Sequence, residues 1–501
     1  MVMKKTKYPK ATTIELELQN FADGIDANTD ENVTKFTKSK NSYNFEYKNG
    51  VLTESIGFED LKLPSYHDEG SVEVQATFQL DNDKSHEFIK LAHFKDFDLL
   101  TQKREDRLFV IASDYYPSYS RLITIAPIFG HLRNITLSEC PKMVNYHNGV
   151  RDVLLFYSDS DRVHSWDAQT SPTEHTDVPL IHDFCEFGGK VVAIPSGERL
   201  SLRADSTNLL QWTSTLSSST KIITLDSDRG YINKLLSFNG YLFIIRDFGI
   251  SRLDSSFNVS HLLCSGSRMY AKTACVCANR GLVLGKDGIY EFSNVSAEKL
   301  NLKLNRMLNG VSNQNAVAAF RNGIYYLACK LNFGDDKTVG CESGTYKNNA
   351  LISFDTQTNK YSILRGVDII DLCTIQYDSA DKLLACFNGT YATKIGQIST
   401  DGKVFGTNQI KFWTSPLTDM GYSDKIKYVK EISLLSLYDA KVTVFSESES
   451  REFNIKGSNV ISRIPVRVKG KRIGFSIEST TQKAYISNFK LVASLLDNEY
   501  V

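Results

Sequence analysis

The sequence predicts an all-β protein: a six- or seven-bladed β-propeller with an extended N-terminal arm and a C-terminal β-sandwich. The first observation behind this reading is a tight turn followed by a short apolar run, recurring about every forty residues. The turns fall at Glu105-Asp106, Asn148-Gly149, Gly188-Gly189, Asn239-Gly240, Arg280-Gly281, Asn322-Gly323 and Asp381-Lys382. The second is the character of the runs that follow them: RLFVIAS, VRDVLLFY, KVVAI, YLFII, LVLG, IYYLACK and LLACF. They are alternating or wholly apolar, as the strands of a four-stranded blade must be. The third is the aromatic content of 28 Phe and 24 Tyr, which suits cross-strand packing in a large β protein.

Three regions separate by texture. Residues 1–95 form the arm, with an alternating strand in TTIELELQNF and turn signals at Asp23-Gly24 and Asn49-Gly50. The run from Asn41 to Gly57 reads as two strands joined at Asn49-Gly50, and VEVQATFQL at 72–80 as another strand. Residues 96–402 carry the repeats. Within them Leu331–Asn349, glycine-rich and polar, is expected to be an exposed hairpin extension that contacts something, and Ala297–Val311 a short helix between blades. Residues 403–501 change rhythm to longer alternating strands, YVKEISLLSL, KVTVFSES, REFNIKG, RIPVRVKG, RIGFSIEST and ISNFKLVASL, which predict a separate sandwich. This last region is rich in lysine and arginine. Lysine on strand edges accounts for much of that, but the hairpin around Lys469, Lys471 and Arg472 is a candidate for touching phosphate or an acidic surface.

Composition narrows the function classes. Lys plus Arg equals Asp plus Glu at 58 each, so no global field draws the chain to nucleic acid or membrane. No stretch reaches the eighteen or so apolar residues of a membrane span. The opening MVMKKTKYPKATT lacks the apolar segment of a secretory signal, so synthesis in the cytoplasm is expected. The nine cysteines read as free thiols within strands, and Cys275-x-Cys277 lacks the second pair that a zinc site needs.

Catalytic patterns are missing from the sequence. There is no GxSxG, no HExxH and no GxxxxGK[ST], so neither catalytic residues nor a cofactor or metal site are predicted. Asp247, Asp287 and Glu291 are the acids that a carbohydrate-active propeller would place in its pocket, and each reads more simply as a turn or edge residue.

The run FADGIDANTDENVTKFTKSKNSYNFEYKNGVLTESIGFEDL resembles the N-terminal arm of propeller-containing virion proteins of tailed bacteriophages. The matching residues are Gly24, Asp26, Asn41, Asn44, Phe45, Asn49, Gly50, Leu52 and Gly57, and the closing IPVRVKGKRIGFSIESTTQKAYISNFKLVAS resembles the sandwich of the same proteins. The resemblance implies a non-enzymatic component of the virion, a nozzle or adaptor ring in the tail or neck around the DNA exit channel. Its implied partners are further copies of itself, neighbouring tail or portal-side proteins and, without sequence specificity, packaged DNA. Under this reading Gly24, Asp26, Asn44, Phe45, Asn49 and Gly50 belong to an arm that clasps a neighbouring subunit, and residues 1–57 are dispensable for folding. The rival reading is a cellular propeller that serves as a protein-binding platform.

Overall fold

The computed structural model describes residues 12–18, 21, 24–30, 36–61, 141–167, 171–377 and 380–496, with the strands at 66–67, 73–74, 87–98, 103–113, 120–126 and 133–135. Seven antiparallel sheets follow one another, and their first strands are Glu87–Asp98, Lys142–His147, Ile181–Phe187, Ile232–Phe238, Met269–Cys277, Val317–Arg321 and Ile369–Tyr377. Six of them are four-stranded meanders in chain order. The seventh takes its fourth strand from the other end of the chain: Gly57–Asp60 pairs antiparallel with Ile395–Ser399, with Phe58 opposite Ile398. Packing there is close, because a Cβ at Gly57 would lie 1.8 Å from the Lys403 carbonyl oxygen. Only glycine fits.

All seven apolar runs singled out in the sequence are second strands of these sheets. The reason is positional, since a second strand has a partner on each side and a neighbouring sheet over each face. Val191, Val192, Ala193 and Ile194 are accordingly all inaccessible to solvent. The turn assignments fare less evenly. Asn239-Gly240 (φ 49° and 76°) and Asn322-Gly323 (φ 49° and 79°) have the paired positive φ of two-residue hairpins. Glu105-Asp106, Arg280-Gly281 and Asp381-Lys382 instead lie inside strands Lys103–Ser113, Arg280–Gly285 and Ala380–Phe387. The expected helix at Ala297–Val311 shrinks to Asn305–Leu308, with Ala297–Lys299 forming the outer strand of the fifth sheet. Of the strand expected at 72–80, only Glu73–Val74 falls within the described residues.

Adjacent sheets are stitched by side chains reaching from one first strand to the next. Asp371 of the seventh sheet accepts the Leu91 amide of the first at 2.8 Å and pairs with Lys90 at 2.9 Å. Onward round the ring, Asn145 donates to the His93 carbonyl at 2.6 Å, Lys142 to that of His182, and the Leu235 amide to Asp183 at 2.8 Å. Lys234 then donates to the Ala274 carbonyl at 2.7 Å. Thr374 donates to the Phe320 carbonyl at 3.0 Å, and from the second strand of the sixth sheet Tyr325 donates to the Thr273 carbonyl at 2.8 Å. Several of these contacts sit at bulges: the ladder skips between Ile181 and Asp183, Ile232 and Lys234, and Ile369 and Asp371. A bulge leaves main-chain groups without ladder partners, and the neighbouring sheet supplies them.

The sandwich corrects the expected domain boundaries. All six predicted C-terminal strands are present, but Lys411–Thr414 joins them, and so do four strands of the N-terminal region. Thr13–Leu18 and Val51–Glu54 both pair with Tyr485–Leu496, Phe45–Lys48 pairs with Val51–Glu54, and Asn41–Tyr43 pairs with Lys411–Thr414. Leu18, Phe21, Phe45 and Leu52 are buried in one core with Trp413, Phe475 and Phe489. The segment expected to clasp a neighbour is therefore built into its own subunit, because its apolar face is already covered there. Deleting residues 1–57 is expected to give insoluble or unfolded protein by circular dichroism, contrary to the expectation that this deletion leaves a folded propeller. Phe58→Ala, removing a side chain 1 % exposed in the core of the sixth and seventh sheets, is expected to destabilise the chain by about 3–5 kcal/mol in denaturant unfolding.

Candidate functional site

The densest polar structure lies where the N-terminal segment, the sixth sheet and the sandwich meet. Asn44 begins it, with φ 61° at the bend between strands Asn41–Tyr43 and Phe45–Lys48. Its amide donates to Ile363 O at 2.7 Å, its carboxamide oxygen accepts from Arg365 N at 2.7 Å, and its carboxamide nitrogen donates to Ile410 O at 2.7 Å. One side chain thus ties the outer strand of the sixth sheet to the approach of the sandwich.

Arg365, 3 % exposed, follows at once in that outer strand. Its guanidinium donates to Asp335 at 2.9 Å, to Glu342 at 2.8 Å and to the Lys337 carbonyl at 2.6 Å. Phe333 and Tyr43 cover its faces, with ring centres 4.1 and 4.7 Å away. Burial disfavours the guanidinium charge, but Glu342 and Asp335 outweigh it and hold the pKa above the ordinary value. Asp335, Lys337 and Glu342 all come from the polar segment Leu331–Asn349, which was expected to be an exposed hairpin extension. It does make a contact, and the contact is with the sandwich of the same chain: Lys337 pairs with Glu478 at 2.5 Å and lies 3.9 Å from the Phe412 ring centre.

The other predicted arm residues have similar local duties. Asp26, 4 % exposed, accepts from the amide and hydroxyl of Thr29 at 3.0 and 2.8 Å and lies 3.7 Å from Lys38. Burial opposes its charge, and these donors hold its pKa below the usual carboxylate value. Gly24 has φ 75° and its carbonyl accepts from Ser39. Asn49 and Gly50 form the hairpin turn at φ 50° and 80°, and Gly50 O takes the Phe21 amide. Phe45 is core.

The basic hairpin presents Lys469 and Lys471 to solvent, with Arg472 half-buried. Its main-chain donors are already used. The Glu447 carboxylate takes the Lys471 and Arg472 amides at 2.7 and 3.0 Å, and Glu449 takes that of Lys469. An acid of the chain therefore occupies the place an external anion would take.

One constellation resembles catalytic machinery. Ser251 Oγ lies 2.9 Å from His261 Nδ1, and His261 Nε2 lies 3.1 Å from Asp226. Ser251 is fully buried, however, and Asp226 also holds Arg229 and Arg246. A nucleophile must reach its substrate, and this hydroxyl is shut inside a sheet. Asp247 accepts from Tyr231 N and Asn233, Asp287 pairs with Lys299 at 2.7 Å, and Glu291 pairs with Arg280 at 2.5 Å. Among the described residues no group of three or more His, Cys, Asp or Glu could hold a metal ion.

Sequence reasoning missed both Arg365 and the stitching groups. For the latter a signal exists: Ile181-His182-Asp183-Phe184, Ile232-Asn233-Lys234-Leu235 and Ile369-Ile370-Asp371-Leu372 share an Ile-x-(Asp/Lys)-(Phe/Leu) pattern at the start of first strands.

No family model and no curated protein matches the chain. Among solved structures it is similar to BBS1N in complex with ARL6DN, with 9% identity over 68% of this chain and 96% of that one and a TM-score of 0.40. A second is the Pan2 WD40 domain of Neurospora crassa, with 6% identity over 63% and 89% and a TM-score of 0.38. A third is an extracellular domain described as part of a hybrid two-component system of B. thetaiotaomicron, with 10% identity over 92% and 61% and a TM-score of 0.42. The class, a β-propeller protein, rests on the sheet topology.

Two measurements probe the joint. Arg365→Met leaves Asp335 and Glu342 without their cation and is expected to destabilise the chain by about 3–5 kcal/mol in denaturant unfolding. Lys411, fully buried, donates to Gln409 O at 3.3 Å and Thr481 O at 2.5 Å, and burial lowers its pKa to about 8. The unfolded chain keeps that proton up to about pH 10.4, so the folded state binds fewer protons between the two values. Stability is expected to gain from this group as pH rises from about 8 to 10. Lys411→Met should remove that gain in thermal unfolding followed across the same pH range.

Proposed function

We propose that the chain is a non-catalytic structural subunit of a tailed-phage particle, made in the host cytoplasm and assembled as a ring in the tail or neck around the DNA exit channel. The observation that carries this reading is the meeting of the two stretches that resemble virion proteins. Leu52 and Thr53 of the first pair with Ile486 and Tyr485 of the second, and both contribute to one core. The resemblance thus falls on a single physical unit. A second support is rigidity: the propeller and sandwich both draw strands from the N-terminal segment and meet at a buried ionic joint, which suits a part that must keep its shape within an assembly. Ring contacts in this proposal come from outer faces of the subunit, since the strands Thr13–Leu18, Asn41–Tyr43, Phe45–Lys48, Val51–Glu54 and Gly57–Asp60 pair within the subunit.

A cellular protein-binding platform is the second reading. Tyr231 and Phe248, 56% and 39% exposed, stand together beside Arg199 and Arg229 at one end of the fourth sheet, an aromatic and basic surface of the kind that partners use. Density-gradient banding of DNA-filled particles from the source infection, followed by peptide mass spectrometry, separates the two. The ring reading expects this chain in the band at several copies per particle. Its confinement to a soluble cellular complex would overturn that reading in favour of the platform.

A further inference from the structure

The strand Ser462–Gly470 ends its sandwich sheet, paired on one side with Ile426–Ser436. Three features keep another strand from adding to it. Pro465 brings no amide hydrogen; the ladder skips where Val466 and Arg467 face Lys430, with Arg467 at φ 61°; and the Lys469 amide is held by Glu449. What the edge offers instead is side-chain charge. Arg463, Arg467 and Lys469 are exposed along it, and Lys430 is exposed opposite the bulge. Arg451 is exposed at the start of Ser450–Ile455, the end strand of the facing sheet, two residues from Glu449. Among the described residues no carboxylate lies within ion-pair distance of Lys430, Arg451, Arg463 or Arg467. Elsewhere on the sandwich the lysines at 441, 456 and 490 are paired with acids. Arg463, Arg467 and Lys469 lie along this one strand, with Pro465 and the bulge between the first two, and Lys430 stands on the neighbouring strand opposite the bulge.

We propose that this edge binds the phosphate backbone of duplex DNA without reading its sequence. Arginine forks match phosphate oxygens, and a line of unpaired cations displaces condensed counterions from a polyanion. An edge closed to strand addition and carrying arginines without ion-pair partners fits that ligand better than a peptide, which would use main-chain pairing. The residues carrying it differ from those expected from the sequence: Glu447 takes the Lys471 and Arg472 amides, whereas Lys430, Arg463 and Arg467 have no described carboxylate within ion-pair distance. Binding by the isolated chain does not depend on the ring reading, and particle incorporation is measured separately.

The test is fluorescence anisotropy of a labelled DNA duplex of arbitrary sequence titrated with the full chain between about 50 and 200 mM salt. Binding is expected at low salt, equal for two unrelated sequences and falling as salt rises. The triple variant Lys430→Gln/Arg463→Gln/Arg467→Gln should weaken it about ten-fold or more and reduce the slope of log affinity against log salt by about 2.7. Its thermal unfolding should match the parent because the three side chains are exposed. Lys272→Gln/Lys286→Gln/Lys360→Gln, with the same charge change on the propeller, should leave binding as it was. No binding at low salt, an unaffected edge variant, or an equal loss in the propeller variant would overturn the proposal. So would tighter, edge-dependent binding of polyglutamate, which would assign the edge to an acidic protein.

Discussion

The fold depends on where the strands Thr13–Leu18, Asn41–Tyr43, Phe45–Lys48, Val51–Glu54 and Gly57–Asp60 are placed. The first four belong to the sandwich, and the last, within a few residues, lies between Ile395–Ser399 and Lys403–Val404 in the seventh propeller sheet. Without that last strand, Ile395–Ser399 loses one of its two antiparallel partners and Phe387 loses its ring contact with Phe58 at 5.1 Å. Without the first four, Tyr485–Leu496 and Lys411–Thr414 lose partners and the sandwich core loses Phe21 and Phe45. Neither unit is complete by itself, so the two are joined by a common N-terminal segment that gives separate strands to each.

The polar joint around Arg365 works differently. A guanidinium this buried is stabilised only if its charge and its donors are all answered, and two acids, a carbonyl and two aromatic faces answer them. The gain in stability over an apolar joint is small, but the geometry is demanding: a bidentate pair and two ring faces admit few alternative orientations. The joint therefore fixes how the sandwich sits on the sixth sheet, while the N-terminal segment that runs through both units holds it there.

The sequence made the second strands and the C-terminal sandwich strands legible because burial on both faces, or on one, leaves a direct trace in composition. Asn239-Gly240 and Asn322-Gly323 were equally plain, since paired positive φ selects for those residues. Glu105-Asp106 and Asp381-Lys382 misled because polar residues at the start of a strand look the same as a turn when the apolar run behind them is the stronger signal. The pairing of Thr13–Leu18 with Tyr485–Leu496 left no local trace at all. An alternating strand declares which face is buried and nothing about its partner, and here the partner lies at the opposite end of the chain. Arg365 was hidden for a related reason, as its acids are close in sequence but its aromatic cover, Tyr43, comes from the N-terminal segment.

Sharing strands across the whole length of the chain also sets a timetable. Val51–Glu54 leaves the ribosome long before Tyr485–Leu496 exists, and at ordinary translation speeds of 5–20 residues per second the wait is on the order of 20–90 s. Throughout that interval the early strands have unmet main-chain hydrogen bonds and bare apolar faces, long after the middle sheets have had time to pair among themselves. The chain therefore emerges with an intrinsic need for shelter at its N-terminus, and its yield in any host will track how well that host's chaperones hold the segment until the final strands arrive.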